Sequence, residues 1–144
     1  MEQVKVVFGS NWKPASIFIK LFTWSRWCHC GIVDGEYIID TTLASGCRRI
    51  LISEWVKHYD VYQVMDLPVK SKEGCLELAR SYVGSAYDWL GILSYVFYKE
   101  FDDKNKFFCS ELLAHCVGMK YKPWSISPAW LYKLAKTCKG WLYD

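Results

Sequence analysis

The sequence predicts a mixed fold of strands and helices in a single domain spanning residues 1–144. Three observations carry this reading. Asp34-Gly35 separates two apolar runs, Trp27–Val33 and Glu36–Thr42, a strong short-range signal for a β-hairpin. Apolar residues recur at 109, 112, 113, 116 and 117 within Phe107–Met119, the stripe of a helix with one buried face. Ser127-Pro128 then supplies an N-cap and an N1 proline for a last helix over about 129–136.

Composition fits such a chain and narrows its function. At 52% hydrophobic and 23% charged residues it is globular and not disordered. Eight Trp and ten Tyr favour a large core and an aromatic-lined groove. A net charge of +3 is too small to argue for nucleic acid. The first eight residues lack the basic and apolar regions of a signal peptide, and no run of 18 apolar residues exists to span a membrane. Seven cysteines are an odd number, so a reduced setting fits better than a disulfide framework. The expected location is cytoplasmic at synthesis.

Taken in order, Val4–Phe8 reads as a strand and Gly9-Ser10-Asn11 as a turn. Pro14 opens a helix over about 15–22. Trp24-Ser25-Arg26-Trp27 reads as a loop carrying two large rings. The hairpin follows. With Asp34-Gly35 as a two-residue loop, Val33 opposes Glu36, Ile32 opposes Tyr37, Gly31 opposes Ile38 and Cys30 opposes Ile39. His29 then opposes Asp40. Opposed residues share a face at about 4.5–5.5 Å between Cβ atoms, so the turn places a carboxylate beside an imidazole. A three-residue loop would put Ile39 or Thr41 there instead. Residues 44–49 read as a loop, 50–57 as a short helix and Tyr59–Met65 as a strand ended by Leu67-Pro68. Ser71 is a good N-cap for a helix to Tyr82. An irregular link leads to an apolar helix over Leu90–Phe97, and then to the helix of Cys109.

Cys109 falls in the first turn of its helix. Unpaired N–H groups and the positive end of the helix dipole lie there, and both lower a thiol pKa below its free value of about 8.5. The plainer reading is a small buried hydrophobe. A thiol hydrolase also needs an imidazole and a group that fixes the ring, and the chain holds three histidines. His115 lies six residues after Cys109, about 240° round the helix and roughly 9 Å along it, out of reach. His58 sits in a polar stretch with no partner in view. His29 lies mid-strand with Asp40 opposite, and is the base by elimination. Cys28-His29-Cys30 carries thiols and an imidazole, but on a strand the cysteines point away from the histidine, and no second cluster of zinc spacing follows. Neither a metal nor a cofactor is expected.

Gly84-Ser85-Ala86-Tyr87-Asp88-Trp89-Leu90-Gly91 and Phe108-Cys109-Ser110-Glu111-Leu112 resemble two signatures of the NlpC/P60 cysteine peptidases. In that family the histidine strand follows the cysteine; here it precedes it. The order resembles the circularly permuted branch, with its YiiX/YebB-like proteins and more distant lecithin retinol acyltransferase relatives. The resemblance implies a papain-like α+β fold, an antiparallel sheet packed against the cysteine helix. It implies Cys109 as nucleophile, His29 as base and Asp40 as third residue, with Tyr87 lining the site and helping to hold an oxyanion. Ala86 and Glu111 depart from the common form, where proline and glycine stand.

The expected function is cleavage of an amide bond in a peptide, a cell-wall peptide among the candidates; a phage or bacterial enzyme would meet such a substrate through lysis or a virion. A thiol acyltransferase or thioesterase on lipid acyl groups is the second reading, with Trp24 and Trp27 beside the histidine strand, and Leu90–Phe97, receiving the chain. A non-catalytic peptide-binding module is the third.

Overall fold

The structure, a computed structural model, describes residues 2–13, 27–42, 45–85, 109–119 and 127–141. The elements in chain order are β1 (Glu2–Ser10), β2 (His29–Asp34), β3 (Tyr37–Thr42), β4 (Gly46–Leu51), α1 (Ile52–Trp55) with a 3₁₀ turn at Val56–His58, β5 (Val61–Val69), α2 (Lys72–Ser81), α3 (Cys109–Cys116) and α4 (Pro128–Trp141). The five strands form one sheet in the order β4-β3-β2-β1-β5, and every neighbouring pair is antiparallel. The expected helices over 15–22 and 90–97, and Trp24, lie outside the described residues.

Strand alternation divides the core in two. Val4, Val6 and Phe8 of β1, Cys30 and Ile32 of β2, Ile39 of β3 and Leu67 of β5 share one buried cluster with Leu76 of α2, Leu112 and Leu113 of α3, and Leu131 of α4. Helices α2, α3 and α4 thus cover one face, the layering of an α+β fold. Truncating Leu112 or Leu113, both fully buried, to alanine costs about 2–5 kcal/mol. The other face carries a smaller cluster of Val7, Ile38 and Trp55.

The helix ends follow local rules. Ser71 Oγ accepts from Gly74 N at 3.0 Å, capping α2. Ser127 Oγ accepts from Trp130 N at 3.1 Å, with Pro128 at N1 of α4. The last helix runs to Trp141, beyond the expected end. Helix α3 closes with Met119 N on Ala114 O and Gly118 N on His115 O, the paired bonds of a Schellman motif.

Three expectations need correction. The hairpin pairs Asp34 with Tyr37, Val33 with Ile38 and Ile32 with Ile39. The turn is Gly35-Glu36, with Gly35 at φ +62°, and the register is two residues away from the expected one. The reason is Asp34. Its carboxylate accepts from Arg49 Nε at 3.0 Å and from Arg80 Nε and Nη2 at 2.9 and 2.7 Å, which keeps the residue in the strand and out of the turn. Second, residues 46–49 are strand and not loop, and the strand runs on to Leu51, so that the expected helix over 50–57 begins only at Ile52. Arg48 and Arg49 sit on this edge strand because β3 and β2 supply their carboxylates. Third, β5 runs through Pro68. An edge strand tolerates a missing N–H, and Pro68 pairs with Gln3 on one side only.

Candidate active site

His29 opens β2 and stands beside Gly9 of β1. Its ring lies parallel to that of Tyr59, with centroids 5.4 Å apart and 6° between planes. Tyr59 in turn stacks on Trp55 at 4.2 Å. Both rings occupy space that a side chain at residue 9 would claim: a Cβ there would stand 2.8 Å from Tyr59 Cδ1 and 2.9 Å from Trp55 Cη2. Gly9 therefore admits the aromatic wall behind the imidazole.

Asp40 is fully buried. A carboxylate in that position needs donors for its lone pairs, and it has four. His29 Nε2 lies 2.7 Å from Oδ2. Arg48 Nε donates to Oδ1 at 2.8 Å and Arg48 Nη2 to Oδ2 at 3.3 Å. Trp55 Nε1 donates to Oδ2 at 2.9 Å. Arg48 is the direct cross-strand partner of Asp40. Burial pushes the carboxyl pKa up, but His29 and Arg48 together outweigh it and hold it at about 2.

Cys109 is the first residue of α3 and is buried. The neighbouring Cys30 thiol is the largest influence lowering its pKa; burial opposes, and the His29 imidazolium and the Cys30 amide add to the pull. The net result is a thiol pKa well below its ordinary value, with the helix N-terminus acting in the same direction. For His29, burial disfavours the imidazolium. The Cys109 thiolate and the Asp40 hydrogen bond more than offset this, and the pKa stands at about 10. Nε2 is committed to Asp40, so Nδ1 is the ring atom left for Cys109. The arrangement is a buried thiolate–imidazolium pair with a carboxylate behind it. It can deliver a nucleophile and a proton to one bond. Cys30 itself is held neutral, chiefly by burial.

The structure thus brings Cys109, His29 and Asp40 together. His115 bonds through Nε2 to Tyr82 Oη at 3.0 Å, consistent with its exclusion on helical geometry. His58 is exposed. Cys28 Sγ donates to Gly9 O at 3.5 Å, and Cys30 faces the helices while His29 stacks on the opposite side. Among the described residues, no three His, Cys, Asp or Glu side chains gather as metal ligands. Tyr87 lies outside the described residues. Trp27, expected beside the substrate, is 2% exposed and packs against Phe8 and Tyr132 at 6.2 and 5.1 Å, in the same buried cluster as Cys109. Sequence reasoning missed Arg48, Trp55 and Tyr59. The available signal was Ala44-Ser45-Gly46, a turn composition, which starts a new strand two residues before Arg48.

Comparison with known proteins agrees with this architecture. The family described as permuted papain-like amidase enzyme, YaeF/YiiX, C92 family, matches residues 2–134. The solved structure of the metalloprotein YiiX from Escherichia coli O157:H7 is similar with a TM-score of 0.64 and 20% identity, over 82% of this chain and 67% of that one. At that identity the likeness is one of fold. The match falls on the permuted branch, for which the broader NlpC/P60 label is loose. Comparison with curated proteins gives no match. Among the described residues, no helix is long and apolar enough to cross a membrane.

Proposed function

We propose a mechanism from the premise that the chain belongs to the permuted papain-like amidase family, YaeF/YiiX. It is accordingly a thiol hydrolase of the amidase type. In our reading the Cys109 thiolate attacks the amide carbonyl, forming a C–S bond. His29, held by Asp40, passes its proton to the leaving amine as the C–N bond breaks. The neutral imidazole then takes a proton from water, whose oxygen displaces the thiolate from the acyl carbon. The amide N–H of Cys109, at a helix N-terminus, is the candidate donor to the oxyanion, and Tyr87 is a second.

The observation that supports this reading is that one buried imidazole meets both Cys109 and the Asp40 carboxylate. The substrate we propose is a peptide, with cell-wall peptides the first class to try. The test is a panel of peptide amides and acyl esters with the intact chain and its Cys109→Ala variant. Cys109-dependent turnover of peptides is expected. Turnover of acyl esters alone, or of peptides by the Cys109→Ala variant, overturns the reading.

A further inference from the structure

We propose that Arg48 and Trp55 are positioning residues of the amidase, locking the Asp40 carboxylate in the orientation that presents Oδ2 to His29 Nε2. The inference rests on the assignment of Cys109, His29 and Asp40 given above.

The terminal torsion of an aspartate is soft, so one hydrogen bond to a histidine does not fix its plane. Here Arg48 Nε holds Oδ1 at 2.8 Å, while Arg48 Nη2 and Trp55 Nε1 approach Oδ2 at 3.3 and 2.9 Å. Rotation of the carboxylate would break these contacts together. Arg48 is delivered by the sheet itself, as the partner of Asp40 across β3 and β4. Trp55 is delivered by α1, stacked on Tyr59, which backs the His29 ring.

Charge gives a second argument. Cys109 thiolate, His29 imidazolium and Asp40 carboxylate carry a net charge of −1 in a buried site. The Arg48 guanidinium brings the group to neutrality, and an uncompensated buried charge is costly. The other described groups coupled to Asp40 or Cys109 are Cys30 on β2, Cys47 on β4 and Tyr59 after the 3₁₀ turn. Burial keeps Cys30, Cys47 and Tyr59 neutral. The fixed cation of the set is Arg48.

The test uses the whole chain with Arg48→Gln, Arg48→Lys and Trp55→Phe. One readout is the pH midpoint of Cys109 alkylation by iodoacetamide, followed by peptide mapping. The other is hydrogen exchange of the His29 Nε2–H proton, seen downfield by NMR. Arg48→Gln is expected to raise the midpoint by about 0.5–1 pH unit, since the buried group then carries a net negative charge that disfavours the thiolate. Arg48→Lys keeps the charge but loses the fork, so its midpoint stays while exchange quickens. Trp55→Phe is expected to quicken exchange about tenfold, the effect of one hydrogen bond. A purely structural role would lower the folded fraction without moving either readout in the folded protein. If Arg48→Gln folds with midpoint and exchange unchanged, the proposal is overturned. Should it not fold, unchanged exchange in both Arg48→Lys and Trp55→Phe overturns it equally. Failure of the intact chain to alkylate at Cys109 below pH 7 would instead bring down the assignment of the nucleophile.

Discussion

His29 Nε2 and Asp40 Oδ2 lie 2.7 Å apart although the hairpin does not set the two residues opposite each other. Continuing the count from Ile32 and Ile39, Thr42 stands across from His29, and Asp40 is one diagonal step away. Diagonal neighbours share a face and remain within reach of longer side chains. A two-residue shift leaves face parity unchanged, where a one-residue shift would have turned Asp40 away.

The contact sets the first prediction. Asp40→Asn keeps the size and loses the charge. It is expected to slow acylation by roughly ten- to a thousand-fold, since the orienting member of a triad matters less than nucleophile or base. Glu36→Ala, in the exposed turn, is expected to leave the rate unchanged. Single-turnover rates on a peptide substrate check both; a fully active Asp40→Asn protein would remove Asp40 from the mechanism.

Thiol selectivity is the second. At pH 6 a limiting dose of iodoacetamide should label Cys109 before any other cysteine. Its sulfur is pulled toward the thiolate by Cys30 and His29. Burial moves Cys47 and Cys75 the other way, to about 11, and pushes Cys116 up as well. Peptide mapping that finds Cys47 or Cys75 modified first would contradict this order.

The two histidines give a third contrast. His29→Ala should abolish hydrolysis. His115→Ala gives up the bond to Tyr82 Oη, and is expected to cost about 0.5–1.5 kcal/mol of stability with activity kept. Denaturant melts paired with rate measurements separate the effects; the reverse outcome reassigns the base.

Alkaline pH tests the proton donor. The His29 pKa stands at about 10, so the proton for the leaving amine is available below that pH and is lost above it. The rate of amide hydrolysis should fall as pH rises through about 10. A rate already falling near pH 7 would show an imidazole without its two anionic neighbours.

Acid stability tests the Asp34 staple. Arg80 first, with Arg49 assisting against burial, lowers the Asp34 pKa to about 2. A carboxyl whose folded pKa is depressed adds stability that is present above its unfolded value of about 3.9 and is lost as pH falls toward 2. Asp34→Asn should be less stable at neutral pH and lose stability less steeply between pH 4 and 2. An acid-unfolding curve with the same slope as the intact chain would count against the staple.

What the sequence determined by itself was local. Ser71 and Ser127 cap their helices through hydrogen bonds that span three residues, and Cys109 begins its helix because the apolar stripe starts there. The period of two put His29 and Asp40 on one face, and that survived an error of two residues in the register. The tertiary structure decided the rest. The turn lies at Gly35-Glu36 because Arg80, on a helix 46 residues away, holds Asp34 in the strand. Strand β4 exists in a stretch with the composition of a loop because β3 and β2 offer carboxylates to Arg48 and Arg49. Trp27 is core because Tyr132 of the last helix closes over it. Trp55 and Tyr59 reach His29 through the gap left at Gly9. Caps and periodicity act within one or two turns of chain and are visible in a short window. Ion pairs and ring stacks join residues that only the closed sheet brings within a few ångströms.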